Sequence, residues 1–402
     1  MAETVTAGAS ADQASVVTLL RRLVRAPSRG GLDDYAPVVD VVTSWLREAG
    51  LSPRVLTGPD GPVAVVCDVA GASPGPRYVL DACLDTAGYG DVSAWTHDPV
   101  SAEVDDEGWM YGRGTSDSKV AVAIFCHIAA RLAAAPETFG GTVTTLFDLD
   151  EHTGGFAGIR SYLDEVDTTD LAGVFIGYPG PDTVVIGGRG FLRARITVFG
   201  QADHSASRKL KVSNAAVKAA RLVAALDDHA LARREPGPFG VPPKLTVTSI
   251  NGGASGAFSV VPDRCEVEVD IRLTPDFDAD AARTLLRRTL AEVDKAAPAP
   301  RRSTIEQVAE PWPPFKLAHD HPLPKALLEA ARSCGFDPIP VVAGPSNIGN
   351  LLAGRGIPAT AGFGVRYRAL HATDEAIDLA TIPAVQATYH RALLSLLARR
   401  GE

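Results

Sequence analysis

Apolar residues recur at helical spacing through 11–25 (ADQASVVTLLRRLVR) and again through 35–50, where Gly50 predicts a stop. Continuous apolar runs at 63–69 (VAVVCDV), 77–84 (RYVLDACL), 141–149 (GTVTTLFDL) and 173–178 (GVFIGY) predict buried strands. A long apolar-rich helix is expected from Asp117 to 135, and another after the turn-rich DEHTGG at 150–155. Strands alternating with helices predict a largely parallel sheet covered on both faces. From 188 to 311 the order changes to strand (FLRARITVFG), helix 211–226, strands KLTVTSI and RCEVEVDIRL, helix 279–295 and strand RSTIEQV. A proline-rich hinge, EPWPPF, then leads to helix 321–335, the turn GPSN, strand TAGFG and a final helix 379–398. The expected fold is α/β: a catalytic domain of 1–187 and 312–402, interrupted by an α+β domain of 188–311.

Composition narrows the function. With 46% hydrophobic and 22% charged residues the chain reads as globular rather than disordered. A net charge of −9 with scattered arginines gives no electrostatic case for nucleic acid. No apolar run reaches the length of a membrane span, and MAETVTAGASADQASVVTLLRRLV lacks the pattern of a secretory signal. Five irregularly spaced cysteines without a CxxC fit neither a disulfide framework nor a thiolate zinc finger, so a reduced cytoplasmic setting is expected.

Polar residues cluster where strands end. Asp85 follows YVLDACL, Asp117 follows YGRGTS, and Asp150, Glu151 and His152 follow LFDL. Tyr178 follows VFIG, and His371 lies before the last helix. Any one of these is more often a cap or turn residue. Several from separate elements converging on the carboxyl edge of a parallel sheet make a binding crevice.

The segments DACLDTAGYGDVSAWTHDPVSAEVDDEGWMYGRGTSDSK, DLDEHTGG, GGRGF, GQADHSAS, SVVPD with VDIR, GPSNIGN and GFGVRYRALHATDE follow in order along nearly the whole chain. Together they resemble the zinc-dependent aminoacylase and exopeptidase family, which includes acetylornithine deacetylase, succinyl-diaminopimelate desuccinylase, carnosinase and the glutamate carboxypeptidases. The resemblance implies two zinc ions bridged by one Asp. It assigns the bridge to Asp117, the general base to Glu151, a late ligand to His371, and support of a neighbouring ligand to Asp85.

Three positions depart from that pattern. Cys83 stands where the family has the His of HxD, His152 replaces the second Glu of a pair, and Tyr178 replaces an acidic residue before Pro. One zinc would be left with Cys83, Asp117 and Tyr178, a poor set because a neutral phenol binds metal weakly. The other would keep Asp117, His152 and His371, two imidazoles and a carboxylate with a fourth position open. The leading expectation is a single divalent metal, zinc above others, with Glu151 taking a proton from the attacking water. A metal-free pocket is the alternative, with Cys83 as buried thiol or as nucleophile; two metals is the third reading.

In the family the inserted domain dimerises and closes over the site, and its His polarises the scissile carbonyl in the partner subunit. His204 in GQADHSAS matches that residue. Arg272 matches a carboxylate-binding Arg, Ser259 stands where an Asn is usual, and Arg189, Asn214, Ser346 and Asn347 fall at positions near substrate. The expected protein is a homodimeric hydrolase of an amide bond in a small N-acyl amino acid or dipeptide-like substrate bearing a carboxylate, with no nucleic-acid or membrane partner. A changed reaction (amide formation, cyclisation or isomerisation) and a non-catalytic binding homologue remain open.

Overall fold

A computed structural model describes residues 2–398 apart from 209–211, 230, 232–234 and 236. The chain divides into two compact units, one of 1–186, 317–341 and 356–402, the other of 187–316 and 342–355. The second unit thus takes 342–355, the GPSN turn and its helix, as well as the block expected at 188–311.

The first unit is built on a six-stranded sheet, in the order Arg54–Gly58, Gly61–Ala70, Thr142–Asp148, Arg77–Cys83, Leu171–Ile176, Ala359–Thr360. The last four strands run parallel; Gly61–Ala70 is antiparallel to both its neighbours. The sheet is therefore mixed. The antiparallel edge follows from the short turn at 58–61, which folds Arg54–Gly58 straight back on its neighbour. The strand here is Ala359–Thr360, so of TAGFG only Thr360 belongs to it, because Gly362 turns the backbone to positive φ.

Helices Ala2–Val24, Val120–Ala133, Pro322–Ser333 and Ile382–Leu396 pack into the main core on one face of this sheet. The first begins nine residues before the expected start. Val120–Ala133 (VAVAIFCHIAARLA) is apolar nearly all round, and 11 of its residues are buried, as expected for a helix wedged between a sheet and other helices. A distorted turn, Thr115–Lys119, feeds it, with a cis peptide between Asp117 and Ser118. Lys119 is buried, and its ammonium donates to the carbonyls of Leu23 and Ala26 at the end of the first helix, 2.9 Å each. Burial pushes Lys119 down to about 7.

The second unit is an antiparallel four-stranded sheet, in the order Thr304–Gln307, Gly190–Phe199, Arg264–Leu273, Lys244–Gly252. Arg264–Leu273 alternates strictly, so Cys265, Val267, Val269, Ile271 and Leu273 enter one core with helices Ala215–Asp227 and Ala279–Ala296. Residue 211, the expected start of the first of these helices, lies outside the described residues. No described helix is long and apolar enough to cross a membrane.

Candidate active site

Three parallel strands deliver the first unit's polar cluster to one edge. Cys83 ends Arg77–Cys83; Glu151 and His152 follow Thr142–Asp148; Tyr178 follows Leu171–Ile176. Asp117 comes from the turn ahead of Val120–Ala133, and His371 from a loop at positive φ.

One Asp117 oxygen, Oδ2, lies 2.7 Å from His371 Nε2 and 3.5 Å from His152 Nε2. The two imidazoles stand edge to face, 5.5 Å between centroids. Asp85, fully buried, accepts from the His152 backbone N–H at 2.9 Å and brings Oδ1 to 3.3 Å from His152 Nδ1. Glu151 Oε2 is 3.6 Å from the same nitrogen. Neither ring nitrogen of His152 makes a hydrogen bond of good geometry, although both are buried. Once it has lost its extra proton, an imidazole in that state has a lone pair to spare for a cation.

Charge follows this layout. Burial works against ionised Asp117, but His152 and His371 outweigh it and hold the carboxyl well below its usual range. Burial likewise opposes a charged His152, yet the Asp117 and Asp85 carboxylates push it up to about 11. His371 is raised by its hydrogen bond to Asp117. Burial, reinforced by the Asp117 charge, lifts Glu151 to about 7, in the range useful to a base that must later act as an acid.

Among the described residues two triples of ligating atoms each lie within 4.8 Å of one another: Asp117, His152 and His371, and Cys83, Glu151 and His152. The first is a two-imidazole, one-carboxylate set, and Asp85 stands behind His152, Oδ1 3.3 Å from Nδ1, where a carboxylate supporting a metal-bound histidine would stand. It fits one divalent ion. The set inherited at the other family position fits poorly. Cys83 Sγ is 3.2 Å from Ser118 Oγ and 3.7 Å from Asp117 Oδ1. Burial and the Asp117 charge raise its thiol far above the usual value, and the same two causes keep the Tyr178 phenol protonated.

In the second unit Arg272 pairs with Asp270, Nε to Oδ1 2.7 Å, and donates to Ser346 Oγ at 3.2 Å. Ser346 in turn donates to the Arg189 carbonyl at 2.6 Å, and Arg189 binds the carbonyls of Gly344 and Pro242. The structure thus brings Arg189, Arg272 and Ser346 together. Asn214 and Asn347 serve as N-caps of Ala215–Asp227 and Ile348–Gly354. His204 is exposed, and its Nδ1 accepts from the Ala206 N–H at 3.1 Å, which leaves the proton on Nε2. Its loop pairs with the one carrying Ser259: Ser205 N–H donates to the Ser259 carbonyl, and His204 sits opposite Val260.

Sequence reasoning did not single out Asp81, Arg113, Ser118, Asp148 or Glu375. Asp81 is wholly buried with neither carboxyl oxygen hydrogen-bonded, and burial raises it strongly. Asp148 accepts from the N–H groups of Asp150 and Ile159, shaping the loop that presents Glu151 and His152. Arg113, Ser118 and Glu375 all lie inside segments already identified, where a signal for them was present.

The whole chain has counterparts. It is 28% identical to a succinyl-diaminopimelate desuccinylase of Methylorubrum extorquens (strain PA1), over 94% of this chain and 98% of that one. It is 27% identical to aminoacylase-1 of Mus musculus, over 69% and 70%. Among solved structures it resembles the aminopeptidase PepT from Bacillus cereus, with a TM-score of 0.77, 17% identity and coverage of 96% and 98%. A dinuclear metal binding peptidase from Bacillus subtilis gives a TM-score of 0.72, 17% identity and coverage of 96% and 99%. A family profile matches residues 81–395, which span every first-unit site residue from Cys83 to His371, and the chain accordingly belongs to Peptidase family M20/M25/M40.

Proposed function

We propose that the protein, by family a hydrolase of amide or peptide C–N bonds, cleaves a small N-acyl amino acid or dipeptide-like substrate with one divalent metal. The observation that carries this reading is the Asp117–His152–His371 triple, with both His152 ring nitrogens buried and lacking hydrogen bonds. Asp117, His152 and His371 would hold the ion, zinc by its donor set; once bound it supplies Lewis acidity and a more acidic attacking water. Asp85 holds the His152 backbone N–H and faces its Nδ1 at 3.3 Å, a place from which it would orient the ring. Glu151 takes the proton of the attacking water and returns it to the leaving nitrogen. His204 of a second copy, its Nε2–H free to donate, stabilises the oxyanion. Arg272 and Arg189, bridged by Ser346, offer the substrate carboxylate a pair of guanidinium groups. The second unit acts as lid and dimer contact in a cytoplasmic homodimer, a setting supported by five cysteines that are all unpaired.

A second reading rests on the same oxygen. At 2.7 Å, His371 and Asp117 already form an ion pair that satisfies the carboxylate with no metal, leaving Glu151, Tyr178 and Cys83 for a changed proton-transfer reaction. Metal content by mass spectrometry, on protein purified without chelator or nickel, separates the two. About one metal per chain, lost in His152→Ala, followed by turnover of N-acyl amino acids, is the result expected. No metal after zinc is supplied would overturn the metallohydrolase reading.

A further inference from the structure

We propose that Glu375 is a positioning residue that sets the spacing of Asp117 and His371 by holding both of their loops on one buried carboxylate. The proposal deepens the metal-site reading, since those two residues are its proposed ligands.

Glu375 has no exposed surface. Its Oε1 accepts from the backbone N–H groups of Gly114 (3.1 Å), Ser116 (2.9 Å) and Asp117 (3.4 Å), and from Ser116 Oγ at 2.7 Å. Three N–H groups of one turn converging on a single oxygen make a cradle that suits an anion, while the Thr115 N–H between them bonds the Gly112 carbonyl. Its Oε2 accepts from Arg113 Nη1 at 2.6 Å, and the Arg113 side chain is 2% exposed. Arg113 Nη2 then donates to the carbonyls of His371 (3.3 Å) and Ala372 (3.1 Å). One carboxylate therefore grips the Asp117 turn directly and the His371 backbone through a guanidinium.

The His371 loop needs such a grip. Ala369, His371 and Asp374 all have positive φ, at 54°, 60° and 56°, a region unfavourable to residues with a Cβ. Strain of this kind persists only where surroundings over-determine it. Asp374 is fixed by the N–H groups of Thr96 and His97 and by Thr96 Oγ1, and Glu375 and Arg113 fix the rest. An apolar residue at 375 could fill the volume, and buried ion pairs are often replaceable in that way. It could not receive the converging N–H groups, nor hold the guanidinium over the His371 carbonyl.

The test uses the full chain with Glu375→Gln, and Ser116→Ala as a milder change that keeps the ion pair. Amide exchange by mass spectrometry follows peptides 112–119 and 369–376, and zinc affinity is read by competition with a chromophoric chelator. In Glu375→Gln both peptides exchange faster together, while the second-unit strand Arg264–Leu273 keeps its rate. The zinc dissociation constant rises about 10- to 100-fold. Ser116→Ala moves both readouts in the same direction by a few-fold. Should Glu375→Gln fail to fold, Ser116→Ala decides. Unchanged exchange in either loop, a uniform rise across the whole first unit, or zinc affinity within about twofold of the parent overturns the proposal. If the parent takes up no zinc, the metal reading fails by itself and the exchange pattern alone decides the role of Glu375.

Discussion

Asp117 Oδ2 faces two imidazoles at once, His371 at 2.7 Å and His152 at 3.5 Å. With His152 pushed up to about 11, that ring carries an extra proton at neutral pH before any metal arrives, and the hydrogen bond to Asp117 raises His371 in the same direction. A ligating imidazolium must shed its extra proton, so zinc uptake at pH 7 releases at least about one proton per ion, from His152, and affinity climbs with pH. Calorimetric zinc titrations in buffers of different ionisation enthalpy measure the number. A heat independent of buffer would contradict this protonation of the site.

On the proposed single-metal reading, Cys83 and Tyr178 disfavour a second ion, since burial and the Asp117 charge raise both groups and each would have to lose a proton to ligate. The double variant C83H/Y178D supplies an imidazole and a carboxylate beside Asp117. Bound zinc is expected to rise from about one to about two per chain. An unchanged stoichiometry would place the obstacle elsewhere in the loop.

Glu151 sits about 7, so its ionised fraction falls as pH drops through neutrality. Turnover of an N-acyl amino acid is expected to fall with it on the acid side. Glu151→Gln should cost about 10²- to 10⁴-fold in rate while leaving metal content as in the parent. A Gln variant with parental turnover would remove Glu151 from the chemistry.

His390 offers a stability test far from the cluster. Burial, aided by Arg131 and opposed by Asp12, pushes it down to about 4. The unfolded chain takes up that proton near the ordinary histidine value, so between about pH 6.5 and 4 the unfolded state binds more protons. Stability therefore falls as pH drops through that window, by about 3 kcal/mol from this residue. Denaturant unfolding of the parent and of His390→Gln across pH 4–7 isolates the difference. Parallel curves would remove His390 as the cause.

Cross-subunit use of His204 requires a dimer. Light scattering at micromolar protein should give about twice the 42.1 kDa chain mass. A monomer at that concentration would leave the exposed imidazole without a site to serve.

The first-unit cluster was legible because a parallel sheet delivers its strand ends to one edge, and Cys83, Glu151, His152 and Tyr178 all sit there. Asp117 and His371 stood among the polar residues at element ends, but their expected roles came from motif, since a distorted turn and a loop at positive φ leave no periodic trace. Glu375 and Arg113 lie 262 residues apart, and no local pattern announces that they meet. Asn214 and Asn347 carried the opposite lesson: an Asn just before a helix has a cap to make whatever else it does. The antiparallel edge strand was missed because an apolar run looks alike in either direction.

Lys119 stands two residues beyond Asp117 and is anchored to the carbonyls of Leu23 and Ala26. The amino-terminal helix is thereby a foundation stone of the active-site turn, though it contributes no group to the chemistry. Trimming the chain past Val24 to tidy an expression clone would strand an ammonium group in the core, two residues from the proposed ligand.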